Sequence, residues 1–409
     1  MNRLINMTTE MQVPLNVSTF GDEEIESAIK VLRSGFVTMG ARCAEFETAF
    51  AAYLGGGEAI FVNSGSSANL LAFFALANHA APQRPGKRRF TPGAEVIVPS
   101  VTWSTTIWPI IQSGAVPVLV DSDPATLQMD MDAMRAAVTD KTFAVCPVHV
   151  LGNTVNMKEV LAFAAEHELW VVEDTCEALG SRYYGQPVGT FGDISTFSFF
   201  FSHHITTIEG GMVSTRDPEM AELLRCLRAH GWTRHLKRRA EEEAKYPDID
   251  PSFLFINTGF NVRPTEINAA FGLIQLTKLD RFNERRRSIA ADWNRQLAPM
   301  IADGMVRPMC PVPGADAAWF GFPVICRDRE FRDALRTRLN ACGVETRPII
   351  CGNMARQPAL AHVPNRVSGQ LTGADTIMDR GLLWGAHPFM TDEEVNHVAR
   401  VVLSLAEKR

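Results

Sequence analysis

The sequence predicts an α/β protein with a large domain built on a mainly parallel sheet and a smaller C-terminal α+β domain. Three observations support this prediction: the length of the chain, a repeated alternation of strand-like and helix-like segments, and a change of pattern toward the C-terminus. The 409 residues exceed the roughly 250 to 300 at which one hydrophobic core divides into two. We therefore expect a large domain at residues 1–284, with a charged insertion near 235–256, and a small domain at residues 285–409.

The strand-like segments lie in the first half of the chain. Five short apolar runs rich in β-branched residues occur between residues 59 and 174, with the sequences AIFVN, EVIVPS, PVLVD, FAVCPVHV and LWVVED. Helical spacing of apolar residues separates them, most clearly at residues 66–77 and 157–167. Alternation of this kind predicts parallel strands joined by crossover helices.

A different pattern follows residue 211. A helical stretch at residues 220–230 precedes a highly charged segment at 235–250, whose central run RRAEEEAK predicts a solvated helix or an insertion loop. A long polar helix is expected from about residue 285. The strand-like WFGFPVI, a helix at 328–340 and the strand-like VETRPII complete the pattern of a small α+β domain.

Composition argues against several classes of protein. The sequence is 46% hydrophobic and 21% charged, and its formal net charge of -6 gives no basic excess for binding nucleic acid. Residues 1–16 lack a basic segment followed by an apolar run, and no segment reaches the roughly 18 uncharged apolar residues of a membrane span. We therefore expect a cytoplasmic protein without membrane contact. The eight cysteines include no CxxC pair, so neither a metal site nor a disulfide framework is predicted.

Two segments place polar groups at the ends of predicted strands. Gly65 and Ser66, in FVNSGSSANLL, lie between a strand and a helix, where unpaired backbone N–H groups and the helix dipole favour a phosphate. Small polar residues also cap helices without binding a ligand. Asp174 ends the strand LWVVED, at the edge where α/β sheets bind ligands. Its carboxylate can pair with a protonated pyridine nitrogen, or it can simply cap the junction between strand and loop.

Two adjacent histidines, His203 and His204, follow a third strand-like segment in DISTFSFFFSHHITTIEGGMVST. The strand-like run reaches Ser198, and the histidines lie between it and the EGG turn. By themselves they indicate a structural or solvent-facing role more than catalysis. A catalytic assignment depends on the surrounding motifs.

Those motifs, in their order along the chain, resemble the nucleotide-sugar aminotransferase superfamily called the DegT/DnrJ/EryC1/StrS group. They are SGSSANL, VIVPSVTWSTT, PVHVLGN, VVEDTCEALGS, GDISTFSF, EGGMVST and GFNVRPTEINAAFGLIQL. The resemblance covers nearly the whole chain. It implies the fold type I of aspartate aminotransferase, with pyridoxal 5′-phosphate or pyridoxamine 5′-phosphate as the cofactor, and a homodimer with shared active sites.

The resemblance also implies roles for individual residues, carried over position by position. The residues that match the family's phosphate-binding positions are Gly65, Ser66 and Ser198. Around the pyridine ring, the matching residues are Trp103, which stacks on it, Asp174, which contacts its nitrogen, and Glu177, which stands where many relatives have glutamine near the ring hydroxyl. Two residues match positions that reach into the neighbouring subunit's site: Asn261, expected to bind the cofactor, and Arg263, expected to bind the substrate.

The sequence departs from the family at the residue that normally binds the cofactor covalently. The family's Schiff-base lysine corresponds to His203, and no lysine occurs between Lys158 and Lys237. An imidazole forms no stable imine, but its unperturbed pKa of about 6.5 lets it move a proton near neutral pH. The substitution resembles the branch of 3-dehydratases, which remove an oxygen from nucleotide-linked 4-keto-6-deoxyhexoses. His203 is then the expected acid/base, and His204 is the alternative if the register is off by one.

Two further stretches bear on the substrate and on electron transfer. VETRPIICGNMARQP resembles a segment of these dehydratases, in which Arg347 and Arg356 would hold a diphosphate or a donor carboxylate through bidentate contacts. Surface salt bridges are the alternative for these two arginines. Residues 233–257 contain no cysteine, whereas one branch of the dehydratases binds an iron–sulfur cluster in that region. We therefore expect no cluster.

The resemblance thus implies 3-deoxygenation of a nucleotide-linked 4-keto-6-deoxyhexose. The matching branch, that of the colitose pathway, acts on GDP-4-keto-6-deoxy-D-mannose and regenerates pyridoxamine phosphate from glutamate. Two alternatives stay open at this point. One is a sugar aminotransferase with an unusual proton-transfer residue, and the other is a non-catalytic member that binds the cofactor or a nucleotide sugar.

Overall fold

The computed structural model describes residues 11–405. Residues 1–10 and 406–409, the outer ends of the two predicted domains, lie outside the described residues. Most of residues 1–16, where the sequence lacks the pattern of a targeting signal, therefore also lies outside them. The helices are α1 (Asp22–Ser34), α2 (Ala41–Tyr53), α3 (Gly65–Leu76), α4 (Ser104–Gln112), α5 (Met131–Ala136), α6 (Met157–Glu166), α7 (Pro218–Arg228), α8 (Arg239–Glu243), α9 (Glu266–Gln296), α10 (Ala298–Ala302), α11 (Arg329–Ala341), α12 (Thr372–Arg380) and α13 (Asp392–Leu403). The strands are β1 (Glu58–Val62), β2 (Glu95–Pro99), β3 (Val116–Val120), β4 (Thr142–Val145), β5 (Trp170–Asp174), β6 (Arg182–Tyr183), β7 (Gln186–Pro187), β8 (Ile194–Ser198), β9 (Gly211–Thr215), β10 (Val306–Pro308), β11 (Ala315–Asp316), β12 (Gly321–Cys326), β13 (Thr346–Arg347), β14 (Arg366–Val367) and β15 (Gly381–Gly385).

A mainly parallel sheet forms the centre of the structure. Its strand order is β1-β9-β8-β5-β4-β2-β3-β14. Every neighbouring pair from β8 to β14 is parallel, whereas β9 runs opposite to β1 and β8. The predicted α/β class is thereby confirmed. β14 comes from the C-terminal part of the chain, which therefore returns to the edge of the large sheet beside β3.

Four of the five predicted strands lie within one or two residues of the observed ones, as β1, β2, β3 and β5. The remaining one, predicted to run to residue 150, ends at Val145. Pro147 has no N–H to donate to a neighbouring strand, and Leu151 then turns the chain with a φ of 52°. The strand therefore stops early, and Val148 and Leu151 line a cavity at this edge of the sheet.

The longest helix, α9, begins earlier than the sequence predicted. The polar helix was expected from about residue 285, and the structure has it start at Glu266. A capping box fixes this start, because the side chains of Thr265 and Asn268 each accept a hydrogen bond from the other's backbone N–H. The predicted domain boundary at 284/285 falls inside this continuous helix and stays a prediction.

Apolar cores lie on both faces of the large sheet. On one face, α3, α4 and α7 contribute buried side chains that include Leu71, Ile107 and Leu224. On the other face, α5 and α6 contribute Met134 and Val160. Fully burying a side chain of this size is worth about 1.5–3 kcal/mol. Burial on both faces thus holds the strands rigidly, and their carboxyl ends meet along one edge of the sheet.

A cluster of phenylalanine rings packs α2 against the sheet and α9. Its members are Phe46, Phe50, Phe61, Phe197 and Phe199. Their ring centroids lie 5.0 to 6.2 Å apart, mostly edge to face, which adds about 0.5–1.5 kcal/mol per pair. A Cβ added to Gly272 of α9 would lie 2.6 Å from the Phe46 ring. The close packing of α9 on this cluster therefore requires a glycine.

A second sheet, four-stranded and antiparallel, has the order β10-β12-β15-β13. Helices α11 and α13 and the end of α9 pack around Trp293 and Trp384 in its core. The predicted WFGFPVI strand forms β12, and the predicted helix at 328–340 forms α11. The predicted VETRPII strand pairs only at Thr346 and Arg347, because Pro348 follows and lacks the N–H that a further ladder bond would need.

The charged segment at residues 235–250 lies largely at the surface and forms one short helix, α8, as its composition indicated. Within residues 11–405, no helix has both the length and the apolar character needed to cross a membrane.

Candidate active site

A cavity of about 670 Å³ lies at the carboxyl ends of the parallel strands, where Asp174 of β5 and Ser198 of β8 line its wall together with the segments that follow β1 and β2. The structure brings together eight of the predicted site residues in this wall: Gly65, Ser66, Trp103, Asp174, Glu177, Ser198, His203 and Arg347. The predicted residues that do not line it are His204, Asn261, Arg263 and Arg356.

The amino end of α3 forms part of the cavity wall. Ser64 caps the helix by accepting a hydrogen bond from the Ser67 N–H at 3.1 Å, while the N–H groups of Gly65 and Ser66 have no partner within the helix. A Cβ added to Gly65 would lie 2.5 Å from the Ser198 Cβ, so only glycine lets α3 approach β8 this closely. Unpaired helical N–H groups beside a serine hydroxyl are a donor set that suits a phosphate.

Asp174 is held at the end of β5 by three hydrogen bonds. Its Oδ2 accepts from Asn69 Nδ2 at 2.9 Å and from Thr106 Oγ1 at 2.7 Å, and its Oδ1 accepts from the Cys176 N–H at 3.1 Å. The adjacent Glu173 lies on the opposite face of the strand and accepts hydrogen bonds from three backbone N–H groups of a following loop. Strand alternation thus gives two neighbouring carboxylates different surroundings, and Asp174 is the one that faces the cavity.

Glu177 is a second carboxyl group in the cavity wall, with fewer donors around it. Its Oε2 accepts one hydrogen bond, from the Leu151 N–H at 3.0 Å. Burial raises the pKa of Glu177 to about 7 against the opposing effect of the Leu151 hydrogen bond, and the charge of Asp174 adds to the rise. Near neutral pH the cavity therefore contains a carboxyl group that can donate a hydrogen bond as well as accept one.

Trp103 provides a planar surface in the cavity wall. It is the residue before α4, and 55% of its surface is exposed. Two residues later, Thr105 Oγ1 accepts a hydrogen bond from Ser66 Oγ at 3.1 Å, so the amino ends of α3 and α4 face each other. An exposed indole beside these donors is available to stack on a planar ligand.

His203 lies in the loop between β8 and β9, whose ends are joined by the Phe199 N–H donating to the Gly210 carbonyl at 2.9 Å. The imidazole packs edge to face on Phe320, with ring centroids 5.1 Å apart. Its Nδ1 is buried and has no hydrogen-bond partner among the described residues, which leaves Nε2 to meet a ligand in the cavity. Burial, with the positive charge of Arg286, lowers the pKa of His203 to about 3. The imidazole is therefore neutral near pH 7.

His204, the alternative acid/base in the sequence prediction, lies behind the cavity wall. Only 1% of its surface is exposed, and its Nε2 donates to the Ala318 carbonyl at 2.8 Å. Of the two adjacent histidines, one therefore faces the cavity and the other the interior. The choice between them stays a prediction, and this placement favours His203.

The two predicted anion-binding arginines have different surroundings. Arg347 lines the cavity, is largely exposed and lies 3.0 Å from a Glu345 carboxylate oxygen through one Nη. Arg356 forms a bidentate pair with Asp375, at 3.0 and 2.7 Å, and does not line the cavity. The guanidinium group of Arg356 is thus already bound to a carboxylate, whereas the guanidinium group of Arg347 keeps N–H donors for an incoming anion.

Asn261 and Arg263 lie outside the cavity of their own chain. Arg263 Nε donates to Asn261 Oδ1 at 2.9 Å. Between them, the Val262 carbonyl accepts from the Asn63 N–H at 3.0 Å, so this segment runs beside the strand end that leads into α3. Their predicted contact with a neighbouring subunit stays a prediction.

Sequence inspection missed several residues of the cavity. Asn69 and Thr106 hold Asp174, and the only signal for Asn69 was a polar residue in the apolar run ANLLAFFAL. Leu15 and Glu345 also line the cavity, where the Leu15 N–H donates to Glu345 Oε2 at 3.0 Å. These two residues are 330 residues apart in the chain, and no local pattern connects them.

The cavity suits a phosphorylated pyridine. The amino end of α3 and Ser198 offer donors for a phosphate, Asp174 offers an anchored carboxylate for a ring nitrogen, and Trp103 offers a stacking surface. The lining residues, all within the described part of the chain, include no lysine. Such a cofactor would therefore be held without a covalent bond to lysine, beside the imidazole of His203.

The chain is similar to known proteins along most of its length. The DegT/DnrJ/EryC1/StrS aminotransferase family matches residues 18–403. The GDP-4-keto-6-deoxy-D-mannose 3-dehydratase of Yersinia pseudotuberculosis is 36% identical over 397 residues, which cover 95% of this chain and 98% of that protein.

Solved structures are similar as well. A GDP-4-keto-6-deoxymannose 3-dehydratase with a trapped PLP–glutamate geminal diamine has a TM-score of 0.87 and 34% identity, covering 96% of this chain and 100% of that one. A variant of ColD, an enzyme of that same name, has lysine and asparagine in place of a histidine and the serine before it. Its TM-score is 0.85 at 34% identity, covering 94% of this chain and 100% of that one. The aminotransferase-type fold expected from the motifs is thereby confirmed.

Proposed function

Because the chain belongs to the DegT/DnrJ/EryC1/StrS aminotransferase family, we propose that it is a pyridoxamine-phosphate-dependent 3-dehydratase of a nucleotide-linked 4-keto-6-deoxyhexose. GDP-4-keto-6-deoxy-D-mannose is the first candidate substrate, since the Yersinia pseudotuberculosis relative is named for that sugar. One observation carries the proposal: His203 lies in the wall of a cavity that keeps the phosphate, stacking and ring-nitrogen positions but has no lysine in its lining.

The residues that would hold the cofactor lie in the cavity wall. Pyridoxamine phosphate, when bound, supplies an amine that reacts with the sugar's ketone and a ring that accepts electrons. Gly65, Ser66 and Ser198 would bind its phosphate, and Trp103 would stack on its ring. Asp174, whose carboxylate is fixed by three donors, would pair with the ring nitrogen. Each of these residues orients the cofactor without a covalent bond.

His203 moves the proton. It is neutral near pH 7, so its Nε2 can accept the proton that leaves carbon during the elimination. The same low basicity makes the protonated ring a strong acid, which returns the proton to the hydroxyl leaving from carbon 3. A lysine at this position would capture the cofactor aldehyde and divert the enzyme toward transamination. The imidazole thus favours loss of oxygen over gain of an amino group.

The overall reaction balances with glutamate as the two-electron reductant. The sugar loses the oxygen at carbon 3, and glutamate is oxidised to 2-oxoglutarate with release of ammonia. Arg347 is the residue that we expect to bind a glutamate carboxylate, since its guanidinium is exposed in the cavity wall. The relative crystallised with a PLP–glutamate adduct supports glutamate as the donor.

The order of residues along the chain also supports His203 over His204. In the ColD variant, a serine directly precedes the histidine that was replaced. The dipeptide Ser-His occurs once in this sequence, at Ser202-His203, whereas His204 follows another histidine. The order of residues and the cavity geometry therefore favour the same residue.

We further propose a homodimer in which each subunit completes the other's active site. Asn261 and Arg263 lie outside their own cavity, which leaves them available to a second subunit. Phe36, 57% exposed, lies two residues before Thr38, which bridges to Thr265 just before α9. The adjacent Val37 is 37% exposed, so this segment beside the start of α9 has an apolar surface that a second subunit can cover.

The product identifies the reaction. Purified protein is incubated with pyridoxal phosphate, glutamate and GDP-4-keto-6-deoxymannose, with CDP- and dTDP-linked analogues in parallel, and the products are analysed by mass spectrometry. A sugar that lacks the oxygen at carbon 3, with ammonia released, supports the proposal and identifies the nucleotide. An amino sugar would instead support an aminotransferase, and cofactor binding without any product would favour a non-catalytic role.

Replacement of each histidine tests the acid/base assignment. His203→Asn should abolish elimination while leaving cofactor binding within a few fold, because an amide does not accept the proton. His204→Asn should instead lower stability by about 1 kcal/mol, through the hydrogen bond to Ala318, and keep elimination. Dehydration that survives in His203→Asn and is lost in His204→Asn would reverse the assignment.

Mixed dimers test the shared site. His203→Asn and Arg263→Ala subunits are each expected to form inactive homodimers. When they are mixed, half of the dimers are hybrids, and each hybrid has one site with both native residues. About a quarter of the native activity should return. No recovery, although native mass spectrometry with one subunit carrying a mass tag shows that hybrids form, would mean that each chain builds its site alone.

A further inference from the structure

Arg286 of α9 is a buried cation beside the candidate acid/base. It is 1% exposed, and no carboxylate among residues 11–405 pairs with it, so burial alone lowers its pKa, to about 10. A charge inside a protein normally has a partner of opposite charge, because removing it from water is costly. Arg286 departs from this rule.

Backbone carbonyls take the place of a carboxylate. Arg286 Nη1 lies 3.3 Å from the Trp319 oxygen, 3.1 Å from that of Phe320 and 3.1 Å from that of Ala386. The Nε of Arg286 is buried without a partner among the described residues. Carbonyl dipoles offset only part of a full positive charge, so the charge of Arg286 still acts on its neighbours.

The segment that Arg286 binds also forms the wall behind His203. The ring of Phe320 lines the cavity and meets the His203 imidazole at 80°, with centroids 5.1 Å apart. The Phe320 N–H donates to the Leu151 carbonyl at 3.1 Å. The guanidinium therefore holds the backbone of the residue against which the imidazole packs.

We propose that Arg286 is a positioning residue for His203, which holds Phe320 against the imidazole ring and, through its uncompensated charge, keeps that ring unprotonated until the substrate supplies a proton. This inference rests on the proposed function, in which His203 accepts the proton at Nε2. A purely structural arginine would need its hydrogen bonds but not its charge. The test therefore removes the charge of Arg286 while keeping a hydrogen-bond donor at its position.

Other charged groups also face His203. Those that line the same cavity are Asp174, Glu177, Glu209, Glu345 and Arg347. Carboxylates favour the protonated imidazole, and Arg286 opposes them from behind the wall. The effect extends beyond His203: burial and the charge of Arg286 also lower the pKa of the neighbouring His204 and bring that of His387 to about 4.

The test is an NMR titration of the histidine rings in the substrate-free protein, with His203 identified by the signal that His203→Asn lacks. In the native protein His203 should stay neutral from about pH 5 to pH 8. Arg286→Gln keeps a donor for the carbonyls but removes the charge. Burial, the larger cause of the fall from 6.5 to about 3, remains, so the pKa of His203 should rise by about 1. Arg286→Lys keeps the charge and should leave the titration close to native.

Arg287→Gln is the matched control at the next position of α9. Arg287 Nε donates to the Ala317 carbonyl at 3.1 Å and pairs with Asp316 at 2.7 Å. It resembles Arg286 in binding a backbone carbonyl of the same segment, but a carboxylate compensates its charge. Its replacement should therefore leave the titration of His203 unchanged.

A native His203 that titrates near its ordinary value of 6.5 would overturn the proposal, even if every Arg286 variant failed to fold. Equal titration of His203 in Arg286→Gln and Arg286→Lys would overturn it as well. The titration needs neither substrate nor cofactor, so a failure of the proposed dehydratase activity would be distinguishable from a failure of this inference. In the active enzyme, the acidic limb of the pH–rate profile of Arg286→Gln should move to higher pH by the same amount.

Discussion

Replacing Glu177 with glutamine should stabilise the protein at alkaline pH and leave its stability nearly unchanged at acidic pH. Burial raises the pKa of this carboxyl group from 4.5 to about 7 in the folded protein, whereas the unfolded chain titrates near the lower value. Between these two values the folded protein keeps a proton that the unfolded chain has released. Above them, the folded protein must hold a poorly solvated charge, which a glutamine side chain avoids.

The magnitude of this effect follows from the displacement of the pKa. Each pKa unit corresponds to about 1.4 kcal/mol, so the rise from 4.5 to about 7 sets an upper limit of about 3 kcal/mol. Glu177 is half-buried and faces a cavity, and solvent there screens part of its charge, so we expect about 1–2 kcal/mol. Glutamine can still accept the hydrogen bond from Leu151. The advantage of Glu177→Gln should thus vanish below about pH 4.5 and be complete above about pH 7.

Urea unfolding of both proteins between about pH 5 and pH 9 measures the difference. Glu345→Gln is the matched comparison, because Glu345 lines the same cavity but has a lowered pKa, owing to the Leu15 N–H and to Arg347. That carboxylate stabilises the folded state above its unfolded pKa, and the benefit is lost as the pH falls through its folded value. Glu345→Gln should therefore destabilise the protein at neutral pH. A Glu177→Gln advantage that does not grow with pH would refute the account based on burial.

Four further substitutions probe the cofactor cradle, the core and the anion site. Gly65→Ala should cost about 1–3 kcal/mol and weaken binding of pyridoxal phosphate, measured by fluorescence titration, because the new Cβ would lie 2.5 Å from the Ser198 Cβ. Phe46→Ala should cost about 3–5 kcal/mol in urea unfolding, since its ring is fully buried among others, and a loss below about 1 kcal/mol would contradict the packing. Arg347→Gln should raise the KM for glutamate about tenfold or more with less effect on the sugar. Arg356→Gln should change stability by at most about 1 kcal/mol and leave that KM unchanged, and the opposite result would assign the carboxylate to Arg356.

The class of fold could be predicted because its signals are local. Apolar β-branched runs and helical spacing act over a few residues, and they located β1, β2, β3 and β5 to within two residues. The start of α9 shows the limit of such signals. Its first half is buried against α1 and α2 and therefore lacks a clear polar face, so the pattern became visible only in its polar second half.

Motif chemistry predicted the cofactor positions for a similar reason. Asp174 ends an apolar strand and Gly65 opens a helix, and both features can be recognised without knowing their neighbours. The absence of lysine around His203 is likewise a property of the sequence alone. The partners of these residues were not predictable, since Asn69 and Thr106 reach Asp174 across 105 and 68 residues of chain.

Only the tertiary structure decided which of two similar residues faces the cavity. His203 and His204 are adjacent in a loop without periodicity, and packing against Phe320 and Ala318 separates their environments. In the sequence, Arg286 is one of several arginines in a polar helix. In the structure it is buried against three carbonyls from distant parts of the chain. Secondary structure follows from interactions between near neighbours in sequence, which the sequence displays directly. Burial and charge at a site depend on residues far apart in the chain, and these meet only when it folds.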